Sequence, residues 1–349
     1  MIRDIGRRAL ALLALGAGFA VSAASARDLT VVGWGGSSQA AQQRVFYQPF
    51  TAQTRIPILE DSWSGGIGML RTRVQAGNPT WDVVQVESDE LQIGCDEGLY
   101  ERLDWGTLGG RAAFLPDAVS DCGVGSVLWS VGLAYDAGRL REAPASWADF
   151  WDLSRFPGQR TMRRGPKYTL EFALMADGVA PADVYTVLRT PAGVDRAFRK
   201  LDALRGRIIW WTAGAQPGQL LASGEVVMAA TYTSRMFAAR RDDNRNFQVV
   251  WNGSIHAVDH WVVLRGSPNR DNAMRLVQFM TRPENQSRIP ALAFQGATNL
   301  QAIEQADPAV ATSLPTFPAN LAVSRSIDTE FWVDNIEQLT QRFNAWASR

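Results

Sequence analysis

Hydrophobic residues in this chain fall into short runs that alternate with segments of helical period. The runs are rich in Val, Ile, Leu and Trp, and they predict strands at residues 29–32, 56–60, 81–86, 127–135, 207–211, 226–231 and 259–264. Apolar positions three and four residues apart predict helices at residues 39–52, 66–76, 193–204, 216–223, 269–281, 283–292 and 332–346. Strands and helices that alternate in this way indicate an open α/β sheet.

The ends of the predicted strands carry the first candidate site residues. Trp34 and Glu87 follow the first and third strands, and ligands of open α/β sheets bind beyond the carboxyl ends of the strands. Gly35, Ser37 and their neighbours form a Gly-Gly-Ser-Ser turn that leads into a helix. The amino terminus of a helix favours an anion, and an ordinary N-cap by a serine explains the same turn equally well.

The amino terminus has the three parts of a secretory signal peptide. Arginines at 3, 7 and 8 precede an apolar segment that ends near Val21, and Ala24-Ser25-Ala26 forms a cleavage site of small residues. The apolar segment is short for a membrane span. We therefore predict cleavage after Ala26 and an exported, periplasmic protein.

The composition argues against two classes of function, nucleic-acid binding and metal binding, and predicts a disulfide. Without residues 1–26 the chain has 32 basic and 34 acidic residues, a balance that gives no indication of nucleic-acid binding. With two histidines and two cysteines in the chain, we expect no metal site and no cofactor. An even cysteine pair in an exported chain predicts a disulfide between Cys95 and Cys122, the alternative being two free buried thiols.

The common catalytic motifs G-x-S-x-G, H-E-x-x-H, the P-loop and C-x-x-C are absent from the sequence. The 13 tryptophans keep one enzymatic alternative open, because indole rings also stack on sugars. In a secreted carbohydrate-active enzyme we would expect a carboxyl group with a strongly shifted pKa in the cleft.

Several motifs follow one another in an order that resembles the periplasmic spermidine/putrescine-binding proteins of ABC importers. They are residues 146–151 (SWADFW), 156–158 (FPG), 224–226 (GEV), 265–269 (RGSPN) and 296–299 (GATN). Three further motifs are similar to a branch with putrescine-like or 4-aminobutyrate ligands: residues 32–36 (VGWGG), 94–98 (GCDEG) and 214–217 (GAQP). The resemblance spans nearly the whole mature chain.

The resemblance implies a two-lobed periplasmic binding protein of type II, with a hinge and a ligand cleft between the lobes. The first lobe would comprise residues 27–134 and about 260–310, and the second lobe residues 135–259. Residues from about 311 to 349 would form a helical tail that packs across the lobes. We expect a monomer.

The resemblance also implies a ligand site. Asp259 matches the family aspartate that pairs with a ligand ammonium, and Trp34 and Tyr232 match aromatic walls. The other residues assigned to the site are Gly35, Ser37, Glu87, Glu171, Gln216 and Arg235. Glu87 stands where polyamine binders have a small hydroxyl residue. Arg235 departs most from a diamine site, because a guanidinium repels an ammonium and binds a carboxylate.

The implied function is capture of a ligand by the binding component of an ABC importer, without catalysis. A polyamine such as putrescine or spermidine is the family's usual ligand and our first expectation. An ω-amino acid such as 4-aminobutyrate is the alternative, and it accounts better for Arg235. The partner would be an inner-membrane permease.

Overall fold

A computed structural model describes residues 27–349. The predicted signal peptide, residues 1–26, lies outside the described residues, so its cleavage stays a prediction. Within residues 27–349, no helix is both long enough and apolar enough to cross a bilayer.

The described residues form nine strands and seventeen α-helices. The strands are β1 (Leu29–Gly33), β2 (Ile58–Ser62), β3 (Val83–Val86), β4 (Gly123–Asp136), β5 (Arg160–Arg163), β6 (Ile208–Trp211), β7 (Met228–Tyr232), β8 (Phe247–Val263) and β9 (Arg325–Ser326). The helices are α1 (Gly36–Gln42), α2 (Gln48–Thr54), α3 (Ile67–Gln75), α4 (Ser88–Asp96), α5 (Trp147–Trp151), α6 (Thr169–Ala176), α7 (Val184–Leu188), α8 (Pro191–Asp202), α9 (Gln216–Ser223), α10 (Thr233–Asp242), α11 (Arg270–Thr281), α12 (Pro283–Gln286), α13 (Ile289–Ala293), α14 (Leu300–Glu304), α15 (Pro308–Ala311), α16 (Pro318–Ala322) and α17 (Thr329–Ala347).

All nine strands of the described residues belong to one sheet. Their order in it is β2-β1-β3-β8-β4-β7-β5-β6, and β9 pairs with β8. The two ends of the sheet are parallel: β1 pairs with β2 and β3, and β5 pairs with β6 and β7. Pairing in the middle, among β3, β8, β4 and β7, is antiparallel. We call β1–β3 with α1–α4 and α11–α14 the first lobe, and β5–β7 with α5–α10 the second lobe.

The long strands β4 and β8 join the two lobes. β8 pairs with β3 at its carboxyl end and with the end of β4 at its start, so it runs from the second lobe into the first. The sequence predicted only residues 259–264 of this strand. The amino-terminal part was missed because Gln248, Asn252 and Ser254 interrupt the apolar pattern.

The first predicted helix, residues 39–52, is interrupted in the structure. A π-helical turn, Gln43–Tyr47, separates α1 from α2. Pro49 stands in the first turn of α2 and has no N–H to donate to the carbonyl four residues earlier. The wider turn just before the proline accommodates this break in the hydrogen-bond ladder.

The predicted disulfide is present. Cys95 near the end of α4 is bonded to Cys122, which directly precedes β4, with Cα atoms 5.7 Å apart. The described residues contain no free cysteine. The bond therefore ties the helix that follows β3 to the first strand that joins the lobes.

The carboxyl-terminal helix α17 contacts both lobes. It packs against α4 of the first lobe, and its Trp332 donates a hydrogen bond of 2.8 Å to Glu171 on α6 of the second lobe. Trp332 is fully buried, and Trp346 near the end of the helix packs edge-to-face on Trp210. The two lobes thus share a helix in addition to the two long strands.

Candidate functional site

A buried carboxylate, Asp259, lies at the base of the cleft between the lobes. It belongs to β8, and 3% of its surface is exposed. Its Oδ1 accepts a hydrogen bond of 2.7 Å from the indole of Trp129 on β4, and its Oδ2 accepts one of 2.8 Å from the indole of Trp34. These two donors fix the orientation of the carboxyl group.

Among residues 27–349, no lysine, arginine or histidine side chain forms an ion pair with Asp259. Burial raises the pKa of Asp259 well above its usual value, and the nearby Glu87 raises it further, whereas the hydrogen bonds from Trp129 and Trp34 lower it. A bound ammonium would favour the ionised form and so bring the pKa down. Asp259 is therefore suited to pair with a ligand cation.

Aromatic rings surround this carboxyl group. Trp34 stacks on Trp63 with ring centroids 5.4 Å apart. Around the other oxygen of Asp259, Trp129 makes edge-to-face contacts with Tyr232 and Tyr168, with ring centroids 5.4 Å and 5.9 Å apart. Aromatic faces attract cations and also pack on methylene groups, so this arrangement suits an amine on an alkyl chain.

Except for Tyr168, these groups line one cavity of about 350 Å³ between the lobes. The carboxyl ends of several strands meet there, as expected for an α/β sheet. The charged and aromatic side chains in its wall are Trp34, Trp63, Glu87, Trp129, Arg163, Tyr232, Arg235 and Asp259.

Two guanidinium groups from the second lobe face the cavity. Arg163 is the last residue of β5, and Arg235 lies in the first turn of α10. Neither makes an ion pair with a carboxylate among residues 27–349. Gly214 leaves room for Arg235, since a Cβ at that position would lie 2.9 Å from its Nε. The second lobe thus presents positive charge to the cavity, although Glu87 lies close enough to Arg163 to balance part of its charge.

Glu87 is also in the cavity wall, but its charge is already paired. Its Oε2 accepts a hydrogen bond of 2.8 Å from Nζ of Lys167 in the second lobe. Burial alone would raise the pKa of Glu87, but Lys167 and Arg163 outweigh burial and hold it below its usual value. Asp259 is left as the carboxylate in the wall that is not neutralised by the protein.

The structure brings six of the predicted ligand residues together in the cavity wall: Trp34, Gly35, Ser37, Tyr232, Arg235 and Asp259. Glu87 joins them with its charge paired, as described above. Gly35 has a positive φ of 68° and precedes α1, which begins at Gly36. The assignment of each residue to ligand binding stays a prediction.

Two predicted ligand residues lie outside this wall. Gln216 turns its side chain back to the backbone, where its Oε1 accepts hydrogen bonds from the N–H groups of Thr212 and Ala213. It supports the loop that lines the cavity. Glu171 is fully buried, and its Oε1 accepts hydrogen bonds from Tyr185 and Trp332. Glu171 therefore joins α6 to the carboxyl-terminal helix.

The burial of Glu171 predicts a pH dependence of stability. Burial raises its pKa from about 4.5 to about 7, against the opposing effect of its hydrogen bonds. The folded state therefore holds this proton over a pH range in which the unfolded state has lost it, and the stabilisation is lost as the pH rises through 7. From pH 5 to pH 8, the free energy of unfolding of wild type should therefore fall by about 2–3 kcal/mol more than that of Glu171→Gln, because glutamine carries no titratable proton. Urea unfolding at both pH values measures this, and parallel pH profiles would contradict it.

Sequence reasoning missed Trp129, Arg163 and Lys167. Trp129 lies inside the longest of the predicted strands, residues 127–135, a position that is typical of a core residue. Arg163 is one of 33 arginines, among which a single position carries little information. The position of Arg163 at the end of a strand was the available signal, because that is where the other site residues stand.

Comparison with known proteins gives the family. Residues 46–319 match the family described as bacterial extracellular solute-binding protein. The chain belongs to this family. The solute-binding proteins most similar to it include the gamma-aminobutyric acid-binding protein of Pseudomonas aeruginosa, which is 45% identical over 96% of this chain and 95% of that protein. The predicted resemblance is thereby confirmed.

Further solute-binding proteins are similar to this chain in structure or in sequence. The solved structure of the Atu4243 GABA receptor has 32% identity and a TM-score of 0.82, covering 92% of this chain and 97% of that one. The spermidine/putrescine-binding periplasmic protein of Escherichia coli is 21% identical over 78% of each chain. The two-lobed α/β architecture is thus that of ABC substrate-binding proteins.

Proposed function

We propose that this protein captures an ω-amino acid of the 4-aminobutyrate type and delivers it to an ABC permease. One observation supports this above all: the wall of the cavity contains a carboxyl group, Asp259, with no cationic side chain bonded to it, and two guanidinium groups of the second lobe, Arg163 and Arg235, that form no ion pair within residues 27–349. A short ligand with an ammonium and a carboxylate complements both. Two similar proteins, the gamma-aminobutyric acid-binding protein and the Atu4243 GABA receptor, support an ω-amino acid as the ligand class.

Of the two ligand classes left open by the sequence, the charge distribution favours the ω-amino acid over a diamine. The first ammonium of putrescine would find Asp259, but the second would lie in a wall that contains Arg163 and Arg235. Like charges in a desolvated cavity repel strongly. A carboxylate in the same place gains charge-assisted hydrogen bonds from a guanidinium.

Binding without reaction also fits the groups present. A raised pKa, as at Asp259, does not by itself distinguish an enzyme, because a buried carboxyl group that awaits a ligand cation has the same property. A glycosidase of the usual type needs a second free carboxyl group beside the first. Glu87, the other acid in the wall, is paired with Lys167.

The cycle of capture follows from the two-lobed fold. The ligand's ammonium contacts Asp259 on the joining strand β8 and the adjacent Trp34 of the first lobe, while its carboxylate contacts arginines of the second lobe. Such a ligand stabilises the closed form because it binds both lobes at once. We place the protein in the periplasm, as a monomer that presents its closed form to an inner-membrane permease.

A thermal-shift screen of refolded, ligand-stripped protein tests this proposal. The panel comprises 3-aminopropionate, 4-aminobutyrate, 5-aminopentanoate, putrescine, spermidine and glucose. We expect an ω-amino acid to give the largest shift, with about 2.7 kcal/mol of stabilisation at a hundred times its Kd. The largest shift with a diamine or with glucose would contradict the proposal.

A further inference from the structure

An ion pair crosses the cleft beside the ligand cavity. Lys167 lies between β5 and α6 in the second lobe, and its Nζ is 2.8 Å from Glu87 Oε2 and 3.3 Å from both carboxylate oxygens of Asp89. Glu87 directly precedes α4 and Asp89 lies in its first turn, both in the first lobe. The contact therefore depends on the two lobes being close together.

The ion pair is sheltered from solvent. The side chain of Lys167 is 13% exposed, and those of Glu87 and Asp89 are 21% and 19% exposed. A narrow space beside the pair is closed by Ile327 and by Trp332 of α17. A pair with this little exposure is screened much less by salt and water than a surface pair.

Lys167 does not line the cavity that contains Asp259. It lies in an adjoining part of the cleft, with Gly65, Gly66 and Arg164. We therefore attribute an effect of Lys167 on binding to its contact with Glu87, which does line the cavity, or to the position of the lobes.

We propose that Lys167 is a positioning residue that latches the closed form through Glu87 and Asp89, so that Glu87 serves closure instead of ligand recognition. This inference rests on the proposed cycle of lobe closure, and it does not depend on which ligand is bound. In an open form the three charged groups separate and are hydrated. Without the lysine, closure brings Glu87, Asp89 and the neighbouring Glu90 together with no cation from this position, and the carboxylates repel one another.

The test is calorimetry and stopped-flow binding of 4-aminobutyrate and 5-aminopentanoate to Lys167→Met, or of putrescine if wild type binds putrescine instead. Because apparent affinity scales with the fraction of closed form, we expect about a tenfold loss, equal for each ligand and expressed as faster dissociation. Lys167→Arg keeps the charge and should stay within about threefold of wild type.

The chain offers a matched control in its other lysine. Lys200 pairs with Asp177 at 3.5 Å inside the second lobe, so Lys200→Met removes a lysine and an ion pair without affecting the contact between lobes. We expect wild-type affinity for this variant. Small-angle scattering of the liganded protein should show a larger radius of gyration for Lys167→Met than for Lys200→Met.

Glu87→Gln separates the latch from a ligand contact. We expect a loss no larger than that of Lys167→Met and, in the double variant, no further loss. Wild-type affinity for Lys167→Met would overturn the proposal. A large loss for Glu87→Gln with little loss for Lys167→Met would also overturn it, because Glu87 would then bind the ammonium itself. If no ω-amino acid binds wild type, the proposed ligand class is wrong. The role of Lys167 is then tested by comparing putrescine binding to wild type and to Lys167→Met.

Discussion

Asp259→Asn should weaken 4-aminobutyrate binding by about a hundredfold or more, the largest effect that we expect from a single substitution. The ammonium would lose its buried ionic partner, and losing one member of such a pair costs on the order of 2–5 kcal/mol. The asparagine also introduces an N–H₂ donor where both oxygens of Asp259 now accept from indole N–H groups. Isothermal titration calorimetry measures the loss, and a change below about threefold would make Asp259 a structural residue.

Two controls separate recognition from folding. Trp129→Phe removes one of the indole donors and leaves the carboxylate in place, so it should cost much less affinity than Asp259→Asn.

The affinity of wild type for 4-aminobutyrate should also depend on pH. Because burial raises the pKa of Asp259, its protonation as the pH falls begins at a higher pH than for an ordinary aspartate, and it opposes ammonium binding. The wild-type affinity should therefore decrease toward acid pH, and that of Asp259→Asn should change less.

Arg235→Ala should separate the two ligand classes. We expect it to weaken 4-aminobutyrate by about a hundredfold, since hydrogen bonds between a guanidinium and a carboxylate are among the strongest in proteins. Putrescine, which gains nothing from Arg235, should bind as before or more tightly once the positive charge is removed. Calorimetry with both ligands gives the ratio of the two effects.

The matched control for this substitution lies in the same helix. Arg240 is an exposed residue of α10 outside the cavity wall, so Arg240→Ala removes one positive charge without touching the ligand. We expect unchanged affinity for both ligands. Equal losses of 4-aminobutyrate binding in Arg235→Ala and Arg240→Ala would mean that general charge, and not a contact, is responsible. An unchanged affinity in Arg235→Ala would remove this arginine from the site.

The sequence predicted the fold well where a simple period governs the residues. The apolar runs at the start of β1 and in β3 were found because both faces of these strands are buried. β8 was cut short because it is a seventeen-residue strand whose first part carries exposed and half-buried polar residues. The interruption between α1 and α2 depends on the geometry around Pro49, which an apolar period does not encode.

The sequence predicted those site residues whose role depends on the local motif, and it failed for residues whose partners are distant along the chain. Trp34, Tyr232 and Asp259 stand in recognisable motifs near strand ends or on the strand that returns to the first lobe, and the structure places them in one cavity. Glu171 and Gln216 were assigned by position along the chain, but their partners come from α17 and from a neighbouring loop. The pairing of Lys167 with Glu87 joins residues 80 positions apart, and no local pattern indicates it.

The most direct test of the account compares 4-aminobutyrate with two ligands that each differ from it at one end only. Calorimetry on ligand-stripped protein is carried out with 4-aminobutyrate, with putrescine, in which an aminomethyl group replaces the carboxylate, and with butyrate, which lacks the amine. If Asp259 binds the ammonium and the arginines bind the carboxylate, 4-aminobutyrate should bind at least a hundredfold more tightly than either of the others. Tight binding of putrescine with no detectable binding of 4-aminobutyrate would contradict the account and support a polyamine as the ligand.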